Sequence, residues 1–248
     1  MLEITLSSSG QRINVLCIGA HCDDIEIGCG GTILELQKRY PDCLIHWFVL
    51  TSDARRRVEA VRSAHAFVRP QCRGETIVCD LPDGRLPGHF IEVKAEFEKV
   101  RSRIAPDLIF THHAGDLHQD HKLLSDVTWQ AFRDHSIWEY EILKYDGDLG
   151  TPNLYVPIPA AVARRKAALI MRLFPSQAGK SWFREDNLYA IMRLRGVEAR
   201  SASGLAEAFH CRKLRCSFAS PERSTSPPKI QGFEVTSGAR KRRRRTVV

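Results

Sequence analysis

Strand-length apolar runs bounded by turn signals alternate with stretches of helical period over the first two thirds of this chain, and few folds accommodate that order. "INVLCIGA" (13–20), "CLIHWFVL" (43–50), "ETIVCD" (75–80) and "DLIFTHH" (107–113) read as strands. Between them, "GTILELQKRY" (31–40), "RRRVEAVRSAHAFV" (55–68) and "IEVKAEFEKVRSRI" (91–104) read as helices, and "QDHKLLSDVTWQAFRD" (119–134) as a fourth. "EILKYD" (141–146) is the expected fifth strand. Beyond it, "TPNLYVPIP" looks extended, and "AAVARRKAALIMRLF" and "WFREDNLYAIMRLRGVEA" look like two amphipathic helices. The pattern predicts an α/β fold: a Rossmann-like, doubly wound, mostly parallel sheet with helices on both faces.

At 248 residues and 43% hydrophobic content, the chain can support one well-cored domain, with or without a small appendage. No apolar run is long enough to span a bilayer. The start of the chain lacks a basic segment before an apolar one, so a cytoplasmic location is expected. The eight cysteines form no Cys-x-x-Cys pair and read as reduced thiols.

The formal charge of +8 raises the question of a nucleic-acid partner. Eight lysines and arginines fall after residue 216 against two glutamates, leaving residues 1–216 with only +2. Residues 1–216 are therefore read as the folded domain. Residues 217–248, rich in Ser, Pro and basic residues, are read as a disordered tail whose polybasic end is a solvated charge run, and it is the one place left open to a nucleic-acid contact.

In such a sheet, ligands bind beyond the carboxyl ends of the strands. Two polar clusters fall there. His21, Cys22, Asp23 and Asp24 follow the first strand, and "HHAGDLHQDH" (112–121) follows the fourth. An imidazole and a carboxylate three residues apart can converge on a divalent ion and leave the neighbouring carboxylate to handle a proton. His118 and His121 share a helix face, so that one can ligate while the other points at substrate. His112 and His113 read as strand-end structure. The rival reading is a dinucleotide loop with Gly28, Gly30, Gly31 and Asp53. It fails on spacing, because about eight residues intervene after the apolar run and the sixth position is Ile33.

"AHCDDIEIGCGGTI" and "HQDH" resemble the two metal motifs of the LmbE-like, or PIG-L-type, zinc-dependent N-deacetylases. "RRVE" (56–59), "FPSQ" (174–177) and "RGVEARSASGLAEAF" (195–209) are similar to further motifs, in the family's order. The resemblance implies one zinc or other divalent ion per chain, on His21, Asp24 and His121. It also implies Asp23 as general base, His118 as oxyanion stabiliser, Asp120 behind His118, and Arg56 as a substrate contact. Cys22 stands where the family usually has proline. The implied substrate is a small amino sugar or glycoconjugate carrying an N-acyl group, and a homo-oligomer is left open. Two other readings stand beside it: a weakly catalytic scaffold or nucleic-acid-associated protein using the basic tail, and a nucleotide-dependent oxidoreductase.

Overall fold

The computed structural model describes residues 3, 6 and 12–215; the expected basic tail lies outside the described residues. The first half runs β1 (Asn14–Gly19), α1 (Asp24–Arg39), β2 (Leu44–Thr51), α2 (Ala54–Phe67), β3 (Arg73–Leu81), α3 (Phe90–Arg103), β4 (Leu108–His112) and α4 (Gln119–Ala131). The second runs β5 (Ser136–Tyr140), β6 (Leu154–Pro157), α5 (Ala160–Leu173), α6 (Glu185–Glu198) and β7 (Ala206–Cys211). The strands form one sheet in the order β3-β2-β1-β4-β5-β7-β6. β1 to β5 are parallel, and β7 pairs antiparallel with both β5 and β6. The expected mostly parallel α/β sheet is what the chain forms.

Alternate residues of β1 serve opposite faces, as the two-residue period requires. Val15 and Cys17 pack into a core with α1, α2, α5 and α6, whereas Leu16 and Ile18 pack into a second core with α3 and α4. Burial on both faces is why the central strands read as continuous apolar runs. The order reverses at β1, which has β2 on one side and β4 on the other. The carboxyl ends of β1 and β4 therefore open onto the switch-point crevice.

Helix α1 starts at Asp24, seven residues ahead of the predicted Gly31, so the aspartates and glycines of the motif belong to its first turns. Nearly every residue of those turns is buried, which removes the one-sided apolar period by which a helix is recognised. The fifth strand is Ser136–Tyr140, not 141–146. Both segments carry apolar residues at strand length, and the pairing of Leu108 with Ser136 through His112 with Tyr140 selects the earlier one. β7 carries no separate strand signal in its short sequence. Among the described residues no helix is long and apolar enough to cross a membrane.

Candidate active site

The turn after β1 and the first turn of α1 carry the first cluster, while the loop between β4 and α4 and the first turn of α4 carry the second. β1 and β4 are hydrogen-bonded neighbours, so residues a hundred positions apart meet: His21 Nδ1 lies 3.0 Å from His121 Nε2. Asp24 Oδ2 is 3.3 Å from His21 Nδ1 and 3.6 Å from His121 Nε2. All three residues are buried. Donors set tetrahedrally around one ion at zinc–nitrogen distances lie about 3.3 Å apart. The observed separations bracket that value, so these side chains fit a small divalent ion.

The adjacent carboxylates sit in opposite electrostatic situations. Burial opposes ionisation of Asp24, but His121, His112 and His21 hold its carboxyl well below the ordinary range. For Asp23, burial and the neighbouring Asp24 push the carboxyl up, and the Arg56 guanidinium pulls against them. Arg56 Nη2 donates to Asp23 Oδ1 at 2.7 Å, and Nη1 donates to Asp83 Oδ2 at 2.7 Å. Both terminal nitrogens of Arg56, the expected substrate contact, are thus engaged by protein, and the arginine positions Asp23.

His118 caps the amino end of α4: its Nδ1 accepts the Asp120 backbone N–H at 3.3 Å. That bond assigns the neutral tautomer with the proton on Nε2. Burial, then the His121 and His21 charges, lower its pKa. The Asp120 carboxylate, expected behind the His118 ring, instead accepts the backbone N–H groups of Gly84 (2.7 Å) and Leu86 (3.0 Å). A carboxylate so occupied fixes the 82–89 loop against the site.

Two residues that motif reading did not single out complete the arrangement. Asp116 Oδ2 lies 2.9 Å from His121 Nδ1, and its Oδ1 accepts the His118 backbone N–H at 2.8 Å. Lys144, on the loop after β5, lies 3.0 Å from Asp116 Oδ1 and also pairs with Asp148. A carboxylate behind a ligating histidine sets its tautomer and raises its basicity. Asp116 stands in the quoted "HHAGDLHQDH", but its five-residue offset from His121 crosses a loop-to-helix junction, where spacing says nothing about contact. Lys144 has no spacing signal at all.

His112, read as strand-end structure, is fully buried, and its Nε2 accepts the Ala20 backbone N–H at 3.0 Å. That ring nitrogen lies 3.1 Å from Asp24 Oδ2, but its lone pair is taken. Cys22 is buried and donates its thiol to the Thr51 carbonyl at 3.3 Å; burial holds the thiol up at about 12, so it stays protonated and packed. The motif glycines face protein. A Cβ at Gly28 would strike the Tyr140 ring, one at Gly30 would lie 2.7 Å from Phe67, and one at Gly31 would lie 2.8 Å from Glu207. They permit close packing of α1, which removes the dinucleotide-loop reading.

A parallel α/β sheet with buried histidines and aspartates converging at its switch point, next to a separately held carboxylate, defines a hydrolytic class of enzyme. Residues 16–132 match the family model described as PIG-L, GlcNAc-PI de-N-acetylase. Over that segment the chain is similar to the PIG-L family, and it is an amide-hydrolysing enzyme of the deacetylase kind. YaiS of Escherichia coli K12, described as an uncharacterized deacetylase, is 28% identical over 137 residues, which cover 52% of this chain and 72% of YaiS. N,N'-diacetylchitobiose deacetylase from Pyrococcus horikoshii shares the fold at 21% identity and a TM-score of 0.58, over 79% of this chain and 82% of that one. So does GalB, the 4-carboxy-2-hydroxymuconate hydratase of Pseudomonas putida KT2440, at 17% identity and a TM-score of 0.67, over 84% and 99%.

Proposed function

We propose that this enzyme hydrolyses an N-acetyl or related N-acyl group from an amino sugar, free or within a glycoconjugate, with a zinc ion held by His21, Asp24 and His121. The observation that carries the reading is the mutual separation of the three donor atoms, 3.0 to 3.6 Å, beside a second carboxylate held apart from them by an arginine. Two imidazoles and one carboxylate suit zinc better than magnesium or calcium, which favour oxygen donors. Bound there, the ion would supply Lewis acidity that polarises an amide carbonyl and eases deprotonation of water.

The protein's own groups do the rest. Asp23 accepts a proton from the attacking water and returns it to the departing amine, and its raised pKa suits both transfers. Arg56 keeps the carboxylate aimed. His118, with its proton on Nε2, donates a neutral hydrogen bond to the oxygen that gains charge; losing one such donor costs about 10²-fold or more in rate. Asp116 and Lys144 hold His121 from behind.

The test is amine release from N-acetylglucosamine derivatives by the wild type with and without a chelator, and by Asp23→Asn. Activity is expected to disappear on chelation, return with zinc, and fall by about 10²-fold or more in the variant, the scale of a lost general base. Release that ignores both the chelator and the substitution overturns the proposal.

A further inference from the structure

His21 presents both ring nitrogens to acidic groups. Nδ1 faces Asp24 and His121, the set already described. Nε2 points the other way, 3.0 Å from Asp83 Oδ1 and 3.3 Å from Asp120 Oδ2. These three atoms all lie within 4.8 Å of one another. Despite that proximity Nε2 makes no hydrogen bond, although His21 is only 7% exposed. A buried polar atom without a hydrogen bond is costly, so its aim into the gap between two carboxylates calls for an occupant.

The carboxylates are built to face that gap. Asp83 Oδ2 is taken by Arg56 and Asp120 Oδ1 by the Leu86 N–H, while Asp120 Oδ2 keeps a second acceptor direction beyond its bond to the Gly84 N–H. Asp83 Oδ1 and Asp120 Oδ2 are the oxygens turned toward Nε2. We propose that His21 Nε2, Asp83 and Asp120 form a second divalent-cation site, back to back with the first and sharing its histidine.

One imidazole and two carboxylates select a borderline ion such as zinc over magnesium. The Asp83 side chain is 54% exposed, so the site opens to solvent and exchanges freely. It is weaker than the inner site: with Nδ1 already engaged, coordination through Nε2 releases the remaining ring proton, which makes uptake harder. Asp83 Oδ2 keeps its bond to Arg56 while Oδ1 faces the ion.

The proposal rests on the metal reading of the inner site only for the order of filling. Its test is a zinc titration of the demetallated full-length chain, with bound zinc counted after equilibrium dialysis. Wild type is expected to take up two equivalents, the second more weakly, and Asp83→Asn to lose the second alone. Asp24→Asn is expected to lose the tight equivalent and keep the weak one. A wild type that binds one equivalent, or an Asp83→Asn chain that still binds two, overturns the outer site and leaves the inner reading intact. A wild type that binds none overturns both.

Discussion

A histidine that ligates through one nitrogen is steadied through the other, and for His121 that support is Asp116, itself gripped by Lys144. Asp116→Asn keeps an acceptor oxygen but removes the charge that makes the ring a strong donor and leaves Lys144 to pair with Asp148. Zinc affinity is therefore expected to fall by about 10–100-fold, read by competition with a chromogenic chelator, while activity at saturating zinc falls far less. Equal affinity in the two proteins would show that His121 does not ligate. At this scale the motifs identify which side chains gather but not all of their partners. His21, Asp24 and His121 converge because β1 and β4 are neighbours, which the alternating pattern implies. That Arg56 faces Asp23 and Asp83, and that Asp120 faces backbone N–H groups 34 and 36 positions back, depends on how the 82–89 loop folds over the site. No spacing rule encodes that loop.

Helix α1 joins the site to the core, and its geometry rests on two features invisible to helical periodicity. Lys166 donates to the Ile27 carbonyl at 2.7 Å and to Glu207 Oε1 at 2.6 Å, while both Glu207 oxygens accept N–H groups of α1, from Gly31 and Thr32. A buried ion pair from α5 and β7 thus takes over polar groups along the middle of the helix. One turn earlier, Gly28 lets the helix settle onto the Tyr140 ring. Gly28→Ala gains about 1 kcal/mol of helix propensity but forces that ring to move. Overpacking prevails, with an expected loss of about 1–3 kcal/mol in a urea titration, whereas Gly179→Ala, which meets nothing within 4 Å, is expected to be near neutral. The first three strands offer a pH-dependent counterpart. His46 Nε2 bonds Asn14 Oδ1 at 2.8 Å and Nδ1 accepts the Glu75 N–H at 3.0 Å, an arrangement of the neutral ring. Burial lowers its pKa, although Glu75 pulls the other way. The unfolded chain therefore takes up that proton first, and the contribution of His46 is complete above about pH 6.5 and lost as pH falls through the lowered folded value. The urea midpoint of the wild type is expected to drop between pH 7.5 and 5.5 more than that of His46→Gln. Parallel curves would place the titration elsewhere.

At the scale of the whole molecule, a deacetylase and a hydratase share this sheet, so the architecture alone does not choose the reaction. What it provides is a switch-point crevice and a way to hold loops from distant parts of the chain against it. The R-x-x-E stretch of α2 shows how the two halves are tied. Arg56 reaches the site, while Glu59 accepts the Ser176 N–H at 3.0 Å and its hydroxyl at 2.5 Å, fixing the "FPSQ" segment. The two weaker motifs are thus one contact, a relation their separation in the sequence conceals. A second tie lies on the other side of the sheet's switch point. Arg195 of α6 is buried and meets Glu141 through Nε at 2.9 Å and Nη2 at 2.8 Å, and it also donates to the Gly150 carbonyl. Glu141 directly follows β5, and Gly150 lies in the same loop that carries Lys144 to Asp116. Replacing Arg195 with Met leaves Glu141 buried without its partner, a change that typically costs about 3–5 kcal/mol. Arg195→Met with Glu141→Gln removes both charges and is expected to recover much of that loss, because an apolar or neutral pair needs no such compensation. Urea unfolding of the four proteins of this cycle measures the coupling directly. A double variant no more stable than Arg195→Met would mean that the shape of the guanidinium fork, and its hold on the Gly150 carbonyl, matters more here than its charge.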